Sequence, residues 1–278
     1  DVEAGWGTDF FEEAVADDYA FPVRWRAIDD RYDARAIIDQ QQTLLTWATD
    51  KRTELLRNGY LMSDLRLLKK SATGLVFEID IANGTDGHNV PTGFDAERLV
   101  WLQVTVSNAS GDVLFRSGDL DPNGDLRDAH SAYVHNGLLD LDPYLFSLQS
   151  KFLTRNARGG EREQVLAVNY SQDPLPFVRP FTRSLMLTGQ PGGTRKHRQT
   201  IPPLAKRSAR YQVTEDQLRG SKRLTIHYQL KSAAVPVNLI AEIADVGFDY
   251  GMSAKQLAGE MVEGHQVIWE KQHALTLP

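Results

Sequence analysis

A corner rich in proline and glycine, set between two strand signals, is the feature that most constrains this chain. Residues 75–81 alternate apolar and polar side chains, and residues 99–106 are a nearly continuous apolar and β-branched run. Between them, residues 87–94 are Gly-His-Asn-Val-Pro-Thr-Gly-Phe. Pro91 fixes its own φ and restricts the residue before it, while the two glycines tolerate positive φ. The corner is therefore predicted to hold the His88 imidazole in one direction, either for a ligand or as a buried structural turn.

Further strand signals recur at short intervals, separated by turn residues. Residues 99–106 and 113–116 flank Asn-Ala-Ser-Gly-Asp, which predicts a β-hairpin. The remaining strand signals are residues 65–67, 150–155, 164–168, 184–188, 209–213 and 224–230. Eight or nine short strands with turn residues between them predict a mainly β chain, folded as an Ig-like β-sandwich.

Helical patterns lie on either side of the strands. Residues 29–58 place apolar side chains at helical spacing and end at Asn58-Gly59, and Ser253 to Gln256 form a capping box that opens a helix through Glu263. The expected organisation is an acidic and aromatic arm plus connector helix in residues 1–60 and a β-sandwich in residues 61–235. A C-terminal helical segment packed on the sandwich is expected in residues 236–278.

Composition excludes several classes of function. The chain has 278 residues, a net charge of −6 and no cysteine. It offers no long basic stripe for nucleic acid, no thiol for a disulfide, iron–sulfur cluster or covalent c-type haem, and no apolar run long enough to span a membrane. The chain starts at Asp1 without a signal-peptide pattern, so we expect that a leader was removed or that a longer product was cleaved.

One segment resembles the front of a calcium-binding loop. Asp119, Asp121, Asn123 and Asp125 supply oxygen ligands at alternate positions, and Gly124 occupies the turn. His130 stands where such a loop carries its bidentate glutamate, so a plain Asp/Asn/Gly turn is the alternative. Calcium is therefore a candidate cofactor.

Three histidines are candidate metal or cofactor contacts. They are His88 in the corner and the pair His130 and His135, whose spacing of five suits neither one helical face nor one strand face. No catalytic motif of a hydrolase, nucleotide-binding enzyme or dehydrogenase occurs in the sequence.

The corner and its strand together resemble a known family. Residues 85–94 and 98–106 are similar to the Gly-His-x-x-Pro-Thr-Gly corner and following strand in the non-haem C-terminal β-domain of multihaem c-type cytochromes. Residues 115–121, 149–152 and 246–251 also match, so the resemblance covers roughly residues 55–270. The family's Cys-x-x-Cys-His motifs are absent here.

The resemblance implies a haem-free subunit or processed fragment of a multihaem electron-transfer complex, periplasmic or extracellular. Such a subunit is not an enzyme on its own; it covers haems and organises a hetero-oligomer with a multihaem c-type cytochrome chain. The haem c of that partner would lie nearby, with His88 as the first candidate axial ligand, followed by His130 and His135. Two alternatives stay open. One is a carbohydrate- or protein-binding module with a calcium site and exposed aromatic side chains on one sheet face. The other is a metal-dependent enzyme that uses the three histidines.

Overall fold

The computed structural model describes residues 28–93, 95, 98–128, 131–155, 161–164, 194–237, 239–240 and 253–278. The chain divides into two compact units. The first unit is Asp1–Leu56 with Tyr250–Met252, and the second is Arg57–Asp249 with Ser253–Pro278. The predicted strand at residues 184–188 lies outside the described residues.

The described residues form four helices and eleven strands. The helices are α1 Ile28–Gly59, α2 Ala132–His135, α3 Glu215–Leu218 and α4 Ala254–Glu263. The strands are β1 Tyr60–Met62, β2 Arg66–Ser71, β3 Gly74–Asn83, β4 Leu99–Asn108, β5 Val113–Ser117, β6 Lys151–Arg155, β7 Glu161–Gln164, β8 Thr194–His197, β9 Lys206–Thr214, β10 Arg223–Ala233 and β11 Gln266–Thr276.

The first unit contributes one long helix. α1 has 32 residues, places Asp29 and Asp30 in its first turn and ends at Gly59, with its last three residues in the second unit. Acidic residues in the first turn of a helix favour it electrostatically. The predicted long N-terminal helix is confirmed.

Two antiparallel sheets form the body of the second unit. In one sheet β3 pairs with β1 and β2 along one side and with β9 along the other, and in the other sheet the strand order is β11-β10-β4-β5. A smaller antiparallel sheet has the order β7-β6-β8. The hairpin predicted from residues 99–116 is the β4–β5 pair. The predicted mainly β sandwich is confirmed.

The core lies between the two larger sheets. Alternate residues of β3 and of β4 and β10 are fully or almost fully buried, as period-two strands with one buried face require. The rings of Phe115 on β5 and Tyr211 on β9 contact each other across the sheets with centroids 6.2 Å apart. The backbone N–H of Leu65 donates to the hydroxyl of Tyr228 on the opposite sheet.

The C-terminal segment contains the predicted helix and an additional strand. The capping box of Ser253 and Gln256 opens α4, as predicted. β11 follows it and pairs with β10 over most of its length. The alternation of apolar and polar side chains along β11 is not visible in the sequence, because an inward-facing position of this edge strand is Lys271. Its ammonium donates to the carbonyl of Met62 and the carboxylate of Asp64. An inward-pointing charge is a common protection of an exposed sheet edge.

Candidate functional site

The predicted corner begins where β3 ends, at Asn83. This side chain is 2% exposed, and its amide nitrogen donates to the carbonyls of His88 (2.7 Å) and Ile201 (3.0 Å). Its amide oxygen accepts from the backbone N–H and the hydroxyl of Thr85. All the hydrogen-bonding capacity of one buried amide is therefore used to fix the corner.

A second set of contacts holds the far side of the corner. Val90 and Ile201 exchange two backbone hydrogen bonds of 3.0 and 2.8 Å, and both side chains are buried. The amide of Asn89 donates to the hydroxyl of Thr200 at 3.0 Å. The corner is thus joined to the segment that precedes β9, more than a hundred residues later in the chain.

His88 projects from this fixed backbone into solvent. Its side chain is exposed, whereas its carbonyl accepts hydrogen bonds from Asn83 and Thr85. The sequence left open whether the corner presents or buries the imidazole, and the structure shows it accessible. An accessible imidazole on a fixed backbone can ligate a metal centre or donate to an anionic group.

An open pocket of about 200 Å³ adjoins the imidazole. Besides residues of the corner, the pocket is lined by Asp95, Arg198 and Thr200. The Asp95 carboxylate is buried and accepts from the hydroxyl of Ser150 at 2.7 Å, which ties the floor of the pocket to the end of the chain segment before β6. The pocket therefore brings an imidazole, a guanidinium and a buried carboxylate to one place.

The other predicted histidines are not brought to this corner. His130 lies outside the described residues. His135 ends α2 and is exposed to solvent. Within the described part of the chain, no three His, Asp or Glu side chains converge as a metal site would require. Among the described residues, which do not include His130, the enzyme alternative therefore has no assembled metal centre.

The predicted calcium loop is held together by its own hydrogen bonds. Asp121 is 5% exposed, and one carboxylate oxygen accepts from the backbone N–H groups of Asn123 and Asp125 at 2.8 and 3.0 Å. The other oxygen accepts from the hydroxyl of Ser131 at 2.6 Å. Asp119 points elsewhere and pairs with the guanidinium of Arg127 at 2.7 Å.

This loop also packs against the C-terminal helix. Gly124 has a φ of +92°, and a Cβ there would approach Val262 of α4 to 2.5 Å, so only glycine fits without displacement. The predicted ligands therefore shape a packed loop, and calcium stays a prediction that metal analysis of the purified chain would test.

The solvent side of the β11-β10-β4-β5 sheet bears on the binding-module alternative. Trp101, the aromatic residue on this face of β4, is buried, and its neighbours along the exposed part of the face are polar. They include Gln103, Thr105, Thr225, His227 and Gln229. The described part of this face therefore lacks the exposed aromatic rows that stack on sugar rings.

Two features of the site were missed from the sequence. The role of Asn83 had a local signal, because Asn-Gly-Thr after a strand is typical of a side chain that bonds to the next turn. The contribution of Arg198, Thr200 and Ile201 had no local sequence signal, since only the tertiary fold brings them beside residue 88.

His265 was also missed. It lies against Trp101 with ring centroids 5.1 Å apart, and neither ring nitrogen has a hydrogen-bond partner in the described structure. Burial, followed by the nearby Lys231 ammonium, lowers the pKa of His265 to about 4. The imidazole is therefore neutral in the folded chain near neutral pH.

Comparison with solved structures gave 17 matching chains. No protein-family model and no curated protein match the chain. A penta-heme cytochrome c552 from Thermochromatium tepidum has a similar structure, with 16% sequence identity and a TM-score of 0.45. The match covers 80% of this chain and 41% of the cytochrome, so the chain spans less than half of that protein. No helix in the described residues is long and apolar enough to cross a membrane.

Proposed function

We propose that this chain is a haem-free subunit or processed part of a multihaem c-type cytochrome electron-transfer complex. The observation that carries the proposal is the exposed His88 imidazole, held on a corner that buried Asn83 fixes through four hydrogen bonds. The chain has no cysteine and cannot tether a haem itself, so the haem belongs to a partner. A hetero-oligomer in the periplasm or outside the cell is the setting that the resemblance implies.

The corner suits a contact with a partner's haem for a physical reason. Ordering a loop on binding costs conformational entropy, and a corner that is already fixed avoids that cost. His88 would supply a nitrogen ligand to the haem iron, and Arg198 lines the same pocket. The haem supplies the electron transfer. This chain's residues would orient it, exclude water from its edge and thereby adjust its potential.

The test uses a c-type haem peptide that has one open axial position. We expect the wild-type chain to convert the ferric peptide from high-spin to low-spin absorption in a saturable titration. The variant His88→Ala should lose at least about tenfold in affinity, which corresponds to about 1.4 kcal/mol. His135→Ala is the matched control, because His135 is also exposed but lies on α2.

Three outcomes are informative. Loss of the spectral change in His88→Ala, with retention in His135→Ala, supports the proposal. A spectral change that both variants retain, or that each weakens equally, shows non-specific ligation by exposed histidines and contradicts it. Failure of the wild-type chain to change the spectrum also contradicts a ligand role for His88.

A further inference from the structure

The long helix α1 exposes a regular row of residues on one face. The spacing along this row alternates between four and three residues, as in a coiled-coil seam. We call it the α1 seam; its members are Ile37, Gln41, Leu44, Ala48, Lys51 and Leu55. All six side chains are exposed, and Ile37, Leu44 and Leu55 have 60%, 58% and 72% of their surface accessible.

The exposed large apolar side chains of α1 lie on or beside this row, whereas a separate row of the helix is half-buried. Leu45, Thr49, Thr53 and Leu56 repeat at near-helical spacing and are half-buried. Trp47 flanks the seam and is 59% exposed. Large apolar side chains that line up on the accessible side of a helix are typical of an interaction surface.

We propose that α1 pairs with α1 of a second copy of this chain, in antiparallel orientation, through the α1 seam. The observation behind this choice of partner is that the row is complementary to itself. When two antiparallel helices share a twofold axis at Thr46, Ile37 faces Leu55 and Leu44 faces Ala48 of the other copy. Gln41 then faces Lys51, so an amide oxygen accepts from an ammonium group.

Charge decides the orientation. In a parallel pair in register, each residue would face its own copy, and the Lys51 ammonium groups would repel each other. In the antiparallel pair no like charges meet across the seam, and Lys51 keeps its 2.6 Å ion pair with Glu54 of its own helix. An isologous contact of this kind closes at two copies.

The Trp47 side chains would approach each other beside the twofold axis. They flank the seam near its centre, where the two aromatic rings could cover the Leu44–Ala48 contacts from water. The seam extends over about 27 Å at the ordinary helical rise, little more than two heptads, so we expect a micromolar dimer. This dimer does not involve His88, which belongs to the second unit.

The first experiment measures mass by sedimentation velocity at about 100 µM and at about 1 µM protein. We expect the wild-type chain to be mainly dimeric at the higher concentration and monomeric at the lower one. Leu44→Glu should be monomeric at both. Leu138→Glu, which changes an exposed leucine outside α1, should leave the dimer intact.

The second experiment fixes the orientation by cross-linking, which a chain without native cysteine makes simple. Ile37→Cys and Leu55→Cys alone should form no disulfide dimer, whereas an equimolar mixture of the two variants should do so on mild oxidation. A disulfide that joins two copies of the same variant would show a parallel pair and overturn the proposal.

A wild-type chain that is monomeric at about 100 µM would also overturn it, as would a dimer that Leu44→Glu leaves unchanged. If the monomer instead binds a helix of a haem-bearing chain through the seam, the row serves a different partner and the proposed self-association is wrong. The haem-peptide titration is unaffected by any of these results, so the two proposals fail separately.

Discussion

The corner at residues 83–93 and the loop formed by residues 119–128 and Ser131 are built in the same way and used differently. Each contains a buried polar side chain, Asn83 in the corner and Asp121 in the loop, that bonds to the backbone and hydroxyl groups around it. In the corner, the predicted functional residue His88 remains exposed. In the loop, the predicted ligand Asp121 is itself the buried residue that holds the structure.

The difference shows that residue type and spacing do not decide whether a polar side chain is free to bind a metal ion or another ligand. A carboxylate that accepts three internal hydrogen bonds must exchange them for any ion it binds, and that exchange lowers the net gain. An imidazole whose backbone alone is fixed gives up nothing comparable. We therefore expect that substitution of Asp121 mainly lowers stability, whereas substitution of His88 mainly lowers ligand binding.

The largest expected effect follows from removing the buried carboxylate of the loop. Asp121→Ala leaves two backbone N–H groups and the hydroxyl of Ser131 without their acceptor, so we expect the free energy of unfolding to fall by about 3 kcal/mol. Urea unfolding monitored by circular dichroism measures it. Asp119→Ala is the control and should cost only about 1 kcal/mol, because its pair with Arg127 is partly exposed. Equal losses in both variants would contradict the assigned role of Asp121.

A somewhat smaller loss of stability is expected in the corner. Asn83→Ala removes four hydrogen bonds and leaves the carbonyls of His88 and Ile201 without this donor, at a cost of about 2 kcal/mol. The same variant should weaken the haem-peptide titration, because residue 88 is then less ordered. If Asn83→Ala is destabilised but binds the haem peptide as tightly as the wild type does, the fixed corner is not needed for His88 to bind the haem.

The pH dependence of stability at His265 measures how well water is excluded from the packing around Trp101. The pKa of this buried imidazole is about 4 in the folded chain, against about 6.5 when unfolded, so the unfolded state binds the proton between these values. Unfolding free energy should therefore fall as the pH drops through this window, by about 2 kcal/mol once partial exposure to solvent is allowed for.

His265→Phe keeps a ring against Trp101 but removes the titrating group. Because other groups also titrate, the quantity to compare is the difference in unfolding free energy between variant and wild type at about pH 7 and about pH 4.5. We expect the variant to gain stability relative to the wild type at the lower pH. A difference that is independent of pH would show that His265 is solvated.

The smallest effect on stability is expected at His88. Its side chain is exposed, and its carbonyl contacts survive truncation, so His88→Ala should change the free energy of unfolding by less than about 0.5 kcal/mol. This variant should nevertheless show the largest loss in the haem-peptide titration. A destabilisation near that of Asn83→Ala would instead show that the imidazole supports the corner.

Much of the fold could be predicted from local patterns. The helix at residues 29–58, the hairpin at residues 99–116 and the capping box at Ser253 depend on side-chain period and turn chemistry within a few residues. β11 could not be predicted, because an edge strand with the inward-facing residue Lys271 hides the alternation that identifies a strand. At the site, His88 was found from its motif, whereas Arg198 and Thr200 reach it only through pairing of distant segments.

The sequence by itself determined that this chain forms strands around a stiff corner and that it has no thiol to bind a haem covalently. These properties follow from residue type and from spacing along the backbone. Only the tertiary structure decided which polar side chains face solvent, since the same carboxylate can be a ligand or a buried acceptor according to the donors that folding brings to it. Exposure depends on contacts between residues far apart in the chain, and the local sequence of either residue does not contain them.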